Sequence, residues 1–135
     1  MAQNNNEKKI DEMTWKLLKE LKFKQILYKY NVDKVDEIIK KFLRMKIADG
    51  ELTVEDLRNI HDNISYKAKI LVNRIGESWG VGDDGCYDIA TATVALGKEN
   101  YEKCLKDYDY LVSMKKVTRQ YENVLYPFND VEHEF

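Results

Sequence analysis

The sequence predicts an all-α protein, a compact single-domain bundle of five or six helices. The chain has 135 residues, enough to close one hydrophobic core without disulfides or metals. It contains a single proline, Pro127, whereas strands and turns normally use more. Apolar residues recur at spacings of three and four over most of its length. We expect one domain over residues 1–135, with loosely ordered tails at residues 1–7 and 128–135.

Three helices are predicted in the first half of the chain. The first continues to about residue 30, before a polar break at residues 31–33. The second ends at Asp49-Gly50, because glycine accepts the left-handed conformation of a helix C-terminus. Thr53 is the expected N-cap of the third, which reaches Ile75 and forms the centre of the core. The three apolar stripes are Ile10, Met13, Leu17, Leu21, Ile26, Leu27 and Tyr30; Val35, Ile38, Ile39, Phe42 and Leu43; and Leu57, Ile60, Ile64, Ala68, Leu71 and Ile75.

The second half is predicted to begin with a loop, since four of the six glycines lie in residues 76–85. A fourth helix starts near Asp84. The β-branched residues that follow leave a short strand over residues 86–96 as the alternative. Gly97 interrupts this element, and apolar residues at helical spacing then continue towards Pro127.

Composition indicates a cytoplasmic protein. Hydrophobic residues make up 44% of the chain and charged residues 34%, which is too charged for a membrane protein. No run approaches the roughly 18 uncharged apolar residues of a spanning helix, and the Asn-rich start has no signal-peptide character. In such a compartment Cys86 and Cys104 stay reduced, and both are expected to be small buried side chains.

Charge is distributed unevenly along the chain, although the net charge is only −2. Residues 16–46 hold ten Lys or Arg against four acids, whereas residues 77–109 hold eight acids against three lysines. Such a chain can bind a polyanion with its basic half or pair with a copy of itself. Nucleic-acid binding through residues 16–46 is the less favoured use, because the chain is acidic overall and shows no recognisable DNA-binding helix–turn–helix.

Two other motifs match known chemistry only in their letters. Residues 80–85 fit the glycine pattern of a dinucleotide-binding loop, but a helix rather than a strand precedes them and two aspartates would repel the phosphate. His61-Asp62 resembles the central dipeptide of metal-dependent phosphohydrolases. That site needs further histidines, and the chain has only His133 besides. A polar pair on an exposed helix face explains His61-Asp62 without catalysis.

Residues 48–56, with the letters ADGELTVED, form an acidic turn between two predicted helices. This turn resembles the helix–turn–helix of TerB-like domains, the helical family linked to tellurite resistance. The resemblance covers a short stretch and implies a divalent metal bound by the acids of the turn. Those acids are Asp49, Glu51, Glu55 and Asp56. An EF-hand is excluded, because Met45 and Ile47 would occupy its first ligand positions. A capped turn explains the same letters without a metal, so we predict no cofactor.

The sequence therefore favours a non-catalytic protein–protein interaction module of the adaptor, inhibitor or immunity type, which self-associates as a homodimer. Three observations favour it: no complete catalytic set, nine tyrosines, and halves of opposite charge. The expected contact residues are Trp15, Leu18, Tyr28 and Tyr30. The alternative is a metal-using or nucleotide- or nucleic-acid-processing all-α protein.

Overall fold

Residues 5–135, which the computed structural model describes, fold into eight α-helices, and this part of the chain contains no strand. The all-α class is confirmed, whereas the predicted number of five or six helices is too low. The helices are α1 (Asn5–Leu21), α2 (Phe23–Lys29), α3 (Val32–Ala48), α4 (Val54–Ile75), α5 (Asp83–Ala95), α6 (Lys98–Lys106), α7 (Tyr108–Val117) and α8 (Leu125–Glu132).

Two breaks without glycine, together with α8 in the predicted tail, account for the additional helices. Lys22 adopts a left-handed conformation with φ 56° and ψ 51°, which separates α1 from α2 within the predicted first helix. Asp107 is extended and ends α6, while its side chain accepts a hydrogen bond from the Tyr110 backbone N–H at 3.0 Å and so caps α7. The break at Lys22 has no strong local signal, because non-glycine residues seldom take a positive φ.

The central position of α4 is confirmed. The helix begins after Thr53, whose hydroxyl accepts from the Asp56 backbone N–H at 2.9 Å. The Asp56 carboxylate in turn accepts from the Thr53 N–H at 3.0 Å, which completes a capping box. The side chains of Leu57, Ile64 and Leu71 are fully buried. They place α4 against α1, α5, α7 and α8.

Residues 86–95 belong to α5 and Leu96 is its C-cap, so the alternative of a short strand is wrong. The segment from Ala90 to Ala95 is buried on every side, because α5 lies between neighbouring helices. The Thr93 hydroxyl donates to the Ile89 carbonyl at 2.8 Å, and the Thr91 hydroxyl donates to the Asp88 carbonyl at 2.8 Å. These bonds satisfy the threonine hydroxyls within the helix and let β-branched residues pack in its interior.

The predicted loose tail at residues 128–135 is wrong in its greater part. Helix α8 packs against α3 and α4, and its Phe128 and Val131 side chains are fully buried. Among the acidic residues of this segment, apolar residues recur at three-residue spacing, at Leu125, Phe128 and Val131. Pro127 lies in the first turn of α8, where a backbone N–H has no helical partner to lose. At the other end, residues 1–4 of the predicted 1–7 tail lie outside the described residues, and residues 5–7 belong to α1.

Within residues 5–135, no helix combines the length and the apolar character needed to cross a bilayer. The buried apolar side chains of this part form one cluster, to which each of the eight helices contributes. This core fixes the relative positions of the surface features described next.

Candidate interaction groove

A groove of about 750 Å³ lies between the α1–α2 junction and the turn that joins α5 to α6. Its floor is apolar and its rim is mostly basic, and we call it the basic groove. The floor consists of Trp15, Leu18, Phe23, Ala95 and Leu96. The rim consists of Lys16, Lys19, Lys22, Lys24, Gln25, Gly97, Lys98 and Glu99.

The rim lysines owe their arrangement to the break between α1 and α2. The left-handed Lys22 starts a new helix, so Lys19, Lys22 and Lys24 all lie at the surface near one another. Their ammonium groups form no ion pair with any side chain of residues 5–135. The positive potential of the groove is therefore not cancelled locally.

Trp15 lies at the edge of the floor in a fixed position. Its ring centroid is 5.8 Å from that of Tyr101, with 39° between the planes. The Lys67 ammonium lies 5.3 Å from the Trp15 ring centroid and 5.4 Å from that of Tyr101, and it also pairs with Asp11 at 3.0 Å. These contacts hold the half-buried indole beside the groove without closing the groove.

The structure does not bring the four predicted contact residues together. Trp15 and Leu18 both line the basic groove, but Leu18 is only 2% exposed. Leu18 therefore lies at the bottom of the groove and offers little surface to a partner, and its predicted role in contacts stays a prediction. Tyr28 is 52% exposed, and its hydroxyl donates to the Val117 carbonyl at 3.1 Å. Tyr30 lines a separate cavity of about 190 Å³ together with Arg119.

Some basic residues of the stretch 16–46 form ion pairs with acidic residues of the same copy. Lys40 of α3 pairs with Asp130 at 3.6 Å, and Arg44 pairs with Glu134 at 2.9 Å. These contacts fasten α8 to α3. Four other lysines of the basic stretch, Lys16, Lys19, Lys22 and Lys24, line the basic groove.

Two of the four acids of the turn at residues 48–56 have structural partners. The Asp56 carboxylate belongs to the capping box, and the Glu51 carboxylate lies 2.5 Å from the Lys46 ammonium. Hydrogen bonding to Lys46 lowers the pKa of Glu51 below its ordinary value. Lys46 also pairs with Glu20 of α1. In residues 5–135 we find no group of three or more His, Cys, Asp or Glu side chains arranged to hold a metal ion.

His61 is not simply an exposed residue of α4. Its Nδ1 atom lies 2.6 Å from the Oε2 atom of Glu132, which is almost buried at the end of α8. Sequence reasoning missed this contact because it placed Glu132 in a loose tail. The only available signal was the apolar stripe of α8, which predicts a packed helix beyond Pro127.

Both cysteines are poor nucleophiles at neutral pH. Burial raises the pKa of the Cys104 thiol to about 11. Burial, with a smaller effect of Asp83, also raises the pKa of Cys86. Since the thiolate is the reactive species, these cysteines serve as small apolar side chains.

Comparison with known proteins adds no family to these observations. No family model, curated protein or solved structure matches the chain. The TerB-like resemblance of residues 48–56 is therefore untested and stays an expectation from the sequence.

Proposed function

We propose that this chain is a non-catalytic protein-interaction module that binds an acidic segment of a partner protein in the basic groove. The observation that supports it is the combination of an apolar floor with three lysines, Lys19, Lys22 and Lys24, that form no ion pair with any side chain of residues 5–135. A partner with an apolar anchor flanked by carboxylates complements both features.

The two parts of the groove have different tasks in such a complex. Apolar contact with Trp15 and Leu96 provides affinity, since buried tryptophans are frequent hot spots of protein interfaces. The rim lysines mainly speed and orient the encounter, because charges at an interface border stay partly solvated. Binding should therefore weaken in high salt without disappearing.

A protein partner fits the groove better than a nucleic acid does. Single-stranded nucleic acids bind to grooves in which several aromatic faces stack successive bases. Here Trp15 is the only aromatic ring at the groove surface, since Phe23 is buried and Tyr101 packs on the indole. The net charge of −2 also opposes non-specific attraction to a polyanion.

The groups that could perform chemistry have structural partners in the described part of the chain. The cysteine thiols are kept protonated by burial, and His61 contacts Glu132. Two of the four acids in the turn are engaged with Thr53 and Lys46. These contacts favour a binding function over a catalytic one.

Isothermal titration calorimetry with three probes tests the proposal. The probes are an amphipathic Leu/Glu peptide, a scrambled peptide of the same composition, and a single-stranded oligonucleotide of equal charge. The amphipathic peptide should bind most tightly. Lys19→Glu/Lys24→Glu should weaken this binding about tenfold or more, because like charges then face each other across the interface.

The matched control is Lys34→Glu/Lys41→Glu, which makes the same charge change on the exposed face of α3. It should affect peptide binding much less. Equal effects of the two double variants would show that only net charge matters and would contradict a groove. Tighter binding of the oligonucleotide than of either peptide would instead favour the nucleic-acid alternative.

A further inference from the structure

We propose that the acidic surface bound by the basic groove belongs to a second copy of this chain, so that two copies form a twofold dimer. This inference rests on the proposed function and names its partner. The surface lies near the start of α5 and the start of α8, and we call it the acidic patch. It consists of Asp84, Asp88, Glu122 and Tyr126.

Hydrogen bonds hold the acidic patch together. The Asn123 side chain donates to the Asp88 carboxylate at 2.8 Å, and the Val124 backbone N–H donates to the Thr91 hydroxyl at 3.3 Å. Both bonds fasten the segment before α8 onto α5. They keep Glu122 and Tyr126 next to the acids of the α5 N-terminal half, with Tyr126 52% exposed.

The charges of the acidic patch are not neutralised within one copy. Asp84 and Glu122 form no ion pair with any side chain in residues 5–135. The pKa of Asp88 is raised, first by burial and also by the charge of Asp84. The pKa of Tyr126 is raised chiefly by Asp88, with contributions from burial, Glu122 and Asp84. A cationic partner surface would relieve this repulsion.

The acidic patch and the basic groove lie on one side of α5. Asp88 follows Asp84 by 4 residues, and Ala95 follows Asp88 by 7 and Asp84 by 11. Residues at these spacings lie on the same face of a helix. Ala95 lines the basic groove, and it lies about 16 Å from Asp84 along the helix axis at a rise of about 1.5 Å per residue.

A twofold axis could cross this side of α5 midway between the acidic patch and the basic groove. It would then place each basic groove on the acidic patch of the other copy. Both contacts then form at once and the assembly closes as a dimer.

The two surfaces also match in their apolar parts. Tyr126 is an exposed aromatic ring surrounded by carboxylates, and the groove offers an apolar floor surrounded by ammonium groups. Tyrosine is favoured in such positions because it buries apolar area while its hydroxyl stays hydrated. Insertion of Tyr126 beside Trp15 of the second copy would supply the apolar centre of the interface.

Sedimentation equilibrium with charge-reversed variants tests the dimer. The groove variant is Lys19→Glu/Lys24→Glu, and the patch variant is Asp84→Lys/Glu122→Lys. Wild type should dimerise, and each variant alone should dimerise about tenfold or more weakly, since both of its contacts bring like charges together. An equimolar mixture should regain the dimer, because each contact in the mixed pair again joins opposite charges.

Circular dichroism checks that the variants are folded. Asp84 lies in the first turn of α5, where the helix dipole favours an acid. A second patch variant, Glu122→Lys/Tyr126→Lys, therefore leaves α5 unchanged. The control Lys34→Glu/Lys41→Glu should dimerise like wild type.

A wild-type monomer over a hundredfold concentration range would overturn the dimer. Retained binding of the acidic peptide by that monomer would leave the proposed function standing. A wild-type dimer that neither variant weakens, or a mixture that stays monomeric, would also overturn the pairing of groove and patch.

Discussion

The Nδ1 atom of His61 lies 2.6 Å from the Oε2 atom of Glu132, and this contact joins the central helix α4 to the last helix α8. Glu132 is almost buried, so its carboxylate depends on this partner. The contact lies away from the basic groove and acts on the stability of the fold. It therefore offers a test of whether the end of the chain is an integral part of the core.

Glu132→Ala should lower the free energy of unfolding by about 1–3 kcal/mol, because it leaves the partly buried His61 without its partner. Urea unfolding followed by circular dichroism at neutral pH measures this loss. The matched control, Glu134→Ala, removes an exposed ion pair with Arg44 and should have a smaller effect. Equal losses in the two variants would mean that the His61 contact contributes no more than a surface pair.

Leu71→Ala should lower the free energy of unfolding by about 2–5 kcal/mol, since it opens a cavity beside the fully buried stripe of α4. Chemical denaturation measures the change. On the same helix, Tyr66 is 65% exposed, and Tyr66→Ala should change stability by no more than about 0.5 kcal/mol. A loss below about 1 kcal/mol in Leu71→Ala would contradict the central position of α4.

Asp88→Asn should gain stability relative to wild type as the pH rises. Burial raises the pKa of Asp88 above its ordinary value of 3.8, so the folded state holds this proton more tightly than the unfolded chain does. The contribution of Asp88 to stability is then complete below 3.8 and is lost as the pH rises through the raised pKa. Asparagine keeps an acceptor for Asn123 and cannot ionise.

Unfolding in urea at a series of pH values, at a protein concentration too low for self-association, measures the difference. Asp109→Asn provides the matched control, because it removes one carboxylate at an exposed position. A constant difference between Asp88→Asn and wild type would show that this carboxyl ionises equally well in both states.

Titration with calcium, magnesium, manganese or zinc should show no saturable site tighter than on the order of millimolar at the turn of residues 48–56. The reason is that Glu51 is paired with Lys46 and that Asp56 caps α4. Calorimetry makes the measurement. A tight site that Asp49→Ala abolishes, and that the exposed Asp109→Ala retains, would contradict this prediction and favour the TerB-like resemblance.

Local signals predicted a large part of the fold. The Thr53 cap was predicted because threonine is a preferred N-cap residue, and its hydroxyl accepts from the Asp56 N–H. Asn31, within the polar break predicted at residues 31–33, caps α3 in the same way. The period of α4 was recognisable because one face of it is buried along its whole length. Trp15 was predicted to be a contact residue from its place beside the apolar stripe; it lines the basic groove, and its role in contacts stays a prediction.

The sequence by itself determined the features that depend on residues close together in the chain. These are the all-helical class, the caps of α3 and α4, and the apolar stripe of α4 that lies in the core. Only the tertiary structure decided which distant residues meet. The contact of His61 with Glu132 spans 71 residues, and the basic groove joins Lys24 to Leu96. The left-handed Lys22 and the packing of α8 depend likewise on surrounding helices. Helical periodicity specifies the buried face of a helix, whereas the partner that covers this face depends on how all the helices pack together.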